Sequence, residues 1–205
     1  MAETPGHPDG VSTTNFEKFQ TGNPVVRRLI ENFYGEVART IAPLSPDTAL
    51  DAGCGEGESL VRLGDHLPER LTGVDTNAES VEFTRKRVPA AEVFQEDLLE
   101  MHFDDRAFGL VLCLEVLEHI PDPAAALAQL ARVCGSDLVI SVPHEPWFRL
   151  GSLARGKYVR TFGNHPEHVN HWNPRSLRTF LESQVEVVTV TGSMPWLIAH
   201  CRPRR

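Results

Sequence analysis

Nowhere in this 205-residue chain do about 18 apolar residues follow one another, so no helix is expected to span a membrane. The opening residues, Met1-Ala2-Glu3-Thr4-Pro5-Gly6, have neither the basic nor the apolar region of a secretory signal, and a cytoplasmic protein is expected. Cysteine is scarce. Cys54, Cys113, Cys134 and Cys201 include no C-x-x-C pair, which leaves buried free thiols in a reducing compartment as the reading. No segment repeats, and nothing marks a second domain. Positive charge is short as well: 20 Lys and Arg stand against 28 Asp and Glu, for a net charge of −8. The deficit sits in residues 1–148, with 11 basic against 25 acidic side chains, whereas 149–205 hold 9 against 3. So acidic a body lacks the broad basic face that nucleic acid requires, and a nucleic-acid partner is not expected. The basic C-terminal third either meets an anionic substrate or is a solvated surface with a basic tail, Arg202, Arg204 and Arg205.

What the chain does have is one domain's length, 41% hydrophobic residues and a glycine-rich turn on which the rest is organised. Thr48-Ala49-Leu50 is a short apolar run that leads into Asp51-Ala52-Gly53-Cys54-Gly55-Glu56-Gly57, and helix-compatible residues follow from Glu58. A strand that passes through such a turn into a helix lets a ligand approach the backbone at a helix N-terminus. Asp75 ends a second strand-like run, Leu71–Asp75, 22 residues after Gly53, where a carboxylate can accept both hydroxyls of a ribose. The dinucleotide pattern G-x-G-x-x-G is absent, because Glu58 occupies its last position.

Strand and helix patterns alternate from residue 47. Strands are predicted at 47–52, 70–75, 91–95, 108–114 and 138–142, and helices at 57–66, 78–88 and from Asp122-Pro123 to Val133. A leading helix is predicted from Phe16 to Ile41, with Pro24 in its first turn after Asn23, and a late one from Asn173-Pro174 to Glu182. Val185–Val190 and Trp196–His200 read as the last two strands. Residues 1–12 read as a flexible tail ahead of a single domain over 13–205. Pro143 to Trp172 breaks the alternation, with four of the nine histidines and a possible short helix at Leu150–Tyr158. A loop this long after a strand's carboxyl end reads as a substrate lid over 143–172.

Four pieces together, D-A-G-C-G-E-G at 51–57, G-V-D at 73–75, Q-E-D-L at 95–98 and F-G-L-V-L-C-L-E-V-L-E-H-I at 108–120, resemble the class I S-adenosylmethionine-dependent methyltransferases. The resemblance runs from about Phe16 to the C-terminus. It implies an α/β, Rossmann-like, mostly parallel seven-stranded sheet of order 3-2-1-4-5-7-6, with helices on both faces and an antiparallel last pair. It also implies the cofactor contacts. Gly53, Cys54 and Gly55 would border the methionine portion, with Asp51 near its amino group. Asp75 would take the ribose hydroxyls, with Thr76 beside it, and Asp97 and Leu98 would meet the adenine. Leu114 and Glu115 would complete the pocket.

Methyl transfer from a sulfonium needs an aligned acceptor and a base for its proton. His119 and His144 follow adjacent strands, and His171 lies in the lid; these three are the candidate bases. Glu115-x-x-Glu118-His119 reads as one helix face, on which two carboxylates and an imidazole could hold a divalent metal ion with His168 as a fourth ligand. This set resembles ubiquinone-pathway phenol methyltransferases in E-x-x-E-H. It also resembles small-RNA 2′-O-methyltransferases, whose H-x-x-x-W pattern His168 and Trp172 match. The expected activity is O-methylation of a small-molecule hydroxyl. Alternatives are a metal-assisted RNA 2′-OH methyltransferase, an N-methyltransferase and a non-enzymatic cofactor-binding protein.

Overall fold

The computed structural model describes residues 23–144 and 170–204. The expected tail at 1–12, the start of the leading helix, the short helix at 150–158, His168 and all of the lid but its ends lie outside them. Seven strands form one sheet: β1 Thr48–Ala52, β2 Arg70–Asp75, β3 Ala91–Gln95, β4 Phe108–Leu114, β5 Cys134–Pro143, β6 Val185–Ser193 and β7 Trp196–Pro203. Their order is β3-β2-β1-β4-β5-β7-β6, as the resemblance implies. β1 to β5 pair in parallel, and β7 runs antiparallel to both its neighbours. The helices are α1 Pro24–Ile41, α2 Glu58–Arg62, α3 Ala78–Arg87, α4 Pro123–Val133 and α5 Pro174–Leu181.

Helix starts follow the local chemistry. Asn23, Asp122 and Asn173 cap α1, α4 and α5 through side-chain oxygens, and each is followed by a proline whose missing N–H costs nothing there. Asn77 caps α3 in the same way. α2 ends earlier than the sequence pattern suggests. Leu63 caps it, and a 3₁₀ turn, Gly64–His66, takes the remaining length. β5 in turn begins four residues before its apolar run, directly after α4. The polar start is tolerated because Asp137 is held by the His200 Nε2 at 2.7 Å and the Arg202 Nε at 3.3 Å.

Side-chain alternation divides the core in two. Leu50, Ala52, Val111, Cys113, Leu138 and Ile140 face α4 and α5, against Leu127, Leu130, Leu177 and Leu181. Ala49, Leu110, Leu112, Leu114 and Val139 face α1, against Ile30, Phe33, Tyr34, Val37 and Ile41. All four thiols are free and buried, and burial pushes Cys134 and Cys201 up to about 12. Among the described residues no helix is long and apolar enough to cross a membrane.

Candidate active site

The carboxyl ends of β1, β2, β4 and β5 share one sheet edge, and the candidate residues gather there. Gly53, Gly55 and Gly57 all have positive φ, of 84°, 49° and 74°. At Gly53 a Cβ would stand 2.5 Å from the Val116 Cγ2, so glycine is required both by the backbone and by the loop pressed against it. Beyond Gly55 the space is open, with nothing within 4 Å of a Cβ built there. The N–H groups of Gly53 and Cys54 both donate to the Val74 carbonyl, which ties the turn to β2. From α3, the Thr84 hydroxyl donates to the Gly55 carbonyl at 2.7 Å and Arg87 to the Glu56 carbonyl at 3.0 Å.

Asp75 is the keystone of this arrangement. Its Oδ2 accepts the Gly55 N–H at 2.9 Å and its Oδ1 accepts the Asn77 N–H at 2.8 Å. Each oxygen retains a further acceptor site, so the carboxylate can still meet two hydroxyls. Thr76 follows it on the surface, its carbonyl accepting from the Gln95 amide at 3.1 Å. Asp97 is exposed, its Oδ1 accepting the Leu99 N–H at 2.9 Å, while Leu98 is buried. The Cys54 thiol turns away from the edge into a small cluster with Val81 and Val93, and burial pushes its pKa up.

Asp51 is 2% exposed, and its Oδ2 has no hydrogen-bond partner. Desolvation, and then the Asp75 charge, push its pKa up to about 7 from 3.8, against a hydrogen bond with Ser59. The sign follows from linkage. The folded chain binds this proton more tightly than the unfolded one, so Asp51 lowers stability as pH rises from about 4 to about 7. Asp51→Asn is therefore expected to stabilise the free protein above pH 7, by no more than about 4 kcal/mol, with no gain below about pH 4. Urea unfolding of both proteins across that range measures it, and an equal or lower stability of the variant at high pH would refute this account of the carboxyl.

The exit of β4 departs from the sequence reading. Glu115, Glu118 and His119 do not share a helix face: only Leu117–His119 form a 3₁₀ turn, and Glu115 has a left-handed φ of 60°. Ser141 on β5 fixes that conformation. Its Oγ and carbonyl accept the Glu115 N–H at 3.0 and 3.2 Å, and its hydroxyl donates to the Glu115 Oε1 at 2.8 Å. Glu118 is buried, with its Oε1 3.9 Å from the His119 Nε2, whose side chain is 37% exposed. Among the described residues no three His, Cys, Asp or Glu side chains gather as a metal site. Leu114 packs with the α1 cluster. His144 stands just past β5, its N–H donating to the Pro195 carbonyl at 2.8 Å and its Nδ1 buried without a partner. A parallel bridge joins it to Trp172, while His171 is exposed.

Comparison with known proteins accords with this geometry. A family profile described as a methyltransferase domain matches residues 50–139. The chain is 35% identical over 114 residues to the O-methyltransferase cnsE of Penicillium expansum, covering 52% of this chain and 41% of that protein. It is 33% identical over 135 residues to a ubiquinone biosynthesis O-methyltransferase of Hahella chejuensis, covering 58% and 52%. The chain thus spans about half the length of the curated relatives it matches. In fold it is similar to magnesium protoporphyrin IX methyltransferase from Synechocystis, solved with S-adenosylhomocysteine, at a TM-score of 0.68, 18% identity and 93% and 94% coverage. The match covers residues 50–139, and the sheet order is the one that the resemblance to the class I S-adenosylmethionine-dependent methyltransferases implies.

The donor set fits the cofactor of that family. An unpartnered buried carboxylate oxygen at Asp51 suits an ammonium, the open space at Gly55 suits a ligand against the backbone, and Asp75 has acceptor sites to spare. Two residues of this sheet edge escaped the sequence reading. Ser141 was hidden in an apolar run, where a lone hydroxyl was the available signal. Asn170 donates its side-chain amide to the carbonyls of Leu117 at 3.1 Å and Ile120 at 2.7 Å, stapling the turn that carries His119. Nothing in the local pattern announces that role.

Proposed function

We propose that this chain methylates a hydroxyl of a small molecule with S-adenosylmethionine, His119 acting as the general base. The observation that carries the reading is the Asp51–Gly53–Gly55–Asp75 constellation at the sheet edge. The cofactor, when bound, supplies a methyl group on a good sulfonium leaving group. Asp75 would hold the ribose, Asp51 the amino group, and Asp97 and Leu98 the adenine. His119 would accept the acceptor's proton on its ring nitrogen. Its candidacy is supported by its position on the turn whose Val116 presses against Gly53, and by an exposed ring able to reach solvent. His144 and His171 stand further along the same edge as alternative bases. The similarity to curated O-methyltransferases supports oxygen as the target atom. The acidic composition favours a small molecule over RNA as the acceptor.

The reading is tested by following S-adenosylhomocysteine formation with a panel of phenols, sugars and amines. Turnover with a hydroxyl acceptor is expected, unchanged by a strong chelator, because the base reading needs no divalent ion. Chelator-sensitive turnover restored by a divalent cation would replace the base with a metal site that includes His119 and His168. Turnover with amines alone would make it an N-methyltransferase, and cofactor binding with no turnover at all would leave a binding protein.

A further inference from the structure

Helix α3 returns twice to the glycine turn, and the methyl-transfer reading uses neither contact. Thr84 and Arg87 stand three residues apart on one face of α3. The Thr84 hydroxyl donates to the Gly55 carbonyl at 2.7 Å, and the Arg87 guanidinium to the Glu56 carbonyl at 3.0 Å. A threonine inside a helix commonly turns its hydroxyl to the carbonyl four residues back, here that of Ser80. Thr84 has no exposed surface and instead reaches a residue 29 positions away in sequence. Its methyl group packs on the same turn: a Cβ at Gly57 would stand 2.8 Å from the Thr84 Cγ2.

The Thr84 bond closes a ring around the Asp75 carboxylate. Asp75 Oδ1 accepts the Asn77 N–H at 2.8 Å, and the Asn77 side-chain oxygen caps α3 by accepting the Glu79 and Ser80 N–H groups. Two turns along α3, Thr84 holds the Gly55 carbonyl, and the Gly55 N–H returns to Asp75 Oδ2 at 2.9 Å. The N–H and carbonyl of Gly55 belong to the peptide groups on either side of its Cα, so the two bonds fix both planes. Gly55 needs that hold. A glycine has the widest backbone freedom, its φ here is 49°, and no described residue stands within 4 Å of a Cβ built on it. Arg87 lies outside the ring, since it joins the Glu56 carbonyl to the Glu58 carboxylate.

We propose that Thr84 is a positioning residue for the cofactor: its hydroxyl holds Gly55, and through the Gly55 N–H it orients the Asp75 carboxylate toward the ribose. This rests on the cofactor reading above. The contribution is preorganisation, because a carboxylate already oriented loses less freedom when the ligand arrives. Without the hydroxyl, Gly55 turns more freely and one of the two N–H groups that orient Asp75 is no longer fixed. Asn77 still holds Oδ1, so the carboxylate keeps its place at the end of β2 and loses its direction.

Calorimetric titration of the full chain with S-adenosylhomocysteine tests this with two variants. Thr84→Ser and Thr84→Ala both lose the methyl group against Gly57 and differ from each other only in the hydroxyl. Thr84→Ser is expected to bind within about threefold of the unaltered chain, and Thr84→Ala roughly five- to thirtyfold more weakly than Thr84→Ser. In an Asp75→Ala background the same two changes should give affinities within about twofold of each other, because the hydroxyl then has no carboxylate to position. Thermal unfolding confirms that each variant is folded; Thr84→Val, which fills the native space without a donor, replaces Thr84→Ala if that variant is not. Equal affinity with and without the hydroxyl overturns the positioning role. A difference that persists undiminished in the Asp75→Ala background overturns the route through Asp75. Both of those results leave the cofactor reading standing, whereas an unaltered chain that binds no S-adenosylhomocysteine overturns that reading and this inference together.

Discussion

His119→Ala is expected to slow methyl transfer by roughly 10²–10⁴ while leaving cofactor affinity within about twofold. The size follows from what a positioned base contributes: without it the acceptor must lose its proton to solvent before or during displacement. Two features distinguish this from general damage. The loss should shrink as pH rises toward the acceptor's own pKa, because the ionised acceptor needs no base. It should also be specific to this histidine, since the turn that carries it is held by backbone and Asn170 contacts that the substitution does not touch. Single-turnover rates for His119→Ala, His144→Ala and His171→Ala, across a pH series, measure it. Full activity of His119→Ala with a slow His144→Ala would move the base to the exit of β5.

Asp75→Ala is expected to weaken S-adenosylhomocysteine binding by at least roughly tenfold. Each hydrogen bond from a ribose hydroxyl to a carboxylate contributes about 1.5–3 kcal/mol, and the alanine removes both. The structure adds a second cost. The same carboxylate accepts the Gly55 and Asn77 N–H groups, so its removal also frees the glycine turn and the start of α3. Asp75→Asn separates the two effects, because its amide oxygen can still accept one of those donors. It should bind better than Asp75→Ala and melt nearer to the unaltered chain. Calorimetry with thermal unfolding checks both, and unchanged affinity of Asp75→Ala would remove this residue from the site.

The fold was legible because its signals are local and repeated. Asn-Pro and Asp-Pro at helix starts, apolar runs at strand period and a glycine turn between strand and helix each follow from short-range sterics and hydrogen bonding. β2, β3 and β4 therefore lie where their patterns end. The lengths of α2 and β5 were less legible, because a 3₁₀ turn takes over from a helix that the side-chain pattern would continue, and backbone pairing carries β5 into polar residues. The E-x-x-E-H run misled for a related reason. Its spacing suits a helix, but the residue after a parallel strand must turn, and Ser141 on the neighbouring strand holds Glu115 in a left-handed conformation that ends any common face.

By itself the sequence determined the order of strands and helices, the glycine turn and the carboxylate at the end of β2, since these are written within a few residues of one another. Which side chains meet was decided only by the tertiary structure. Ser141 on β5 meets Glu115 at the exit of β4, and Val116 reaches Gly53 across 63 residues of chain because β1 and β4 are neighbours in the sheet. Such contacts depend on the register of parallel strands and on which face each residue takes. A one-residue shift in either would put Asp51 with α4 and α5 instead of α1, and no local pattern records that choice.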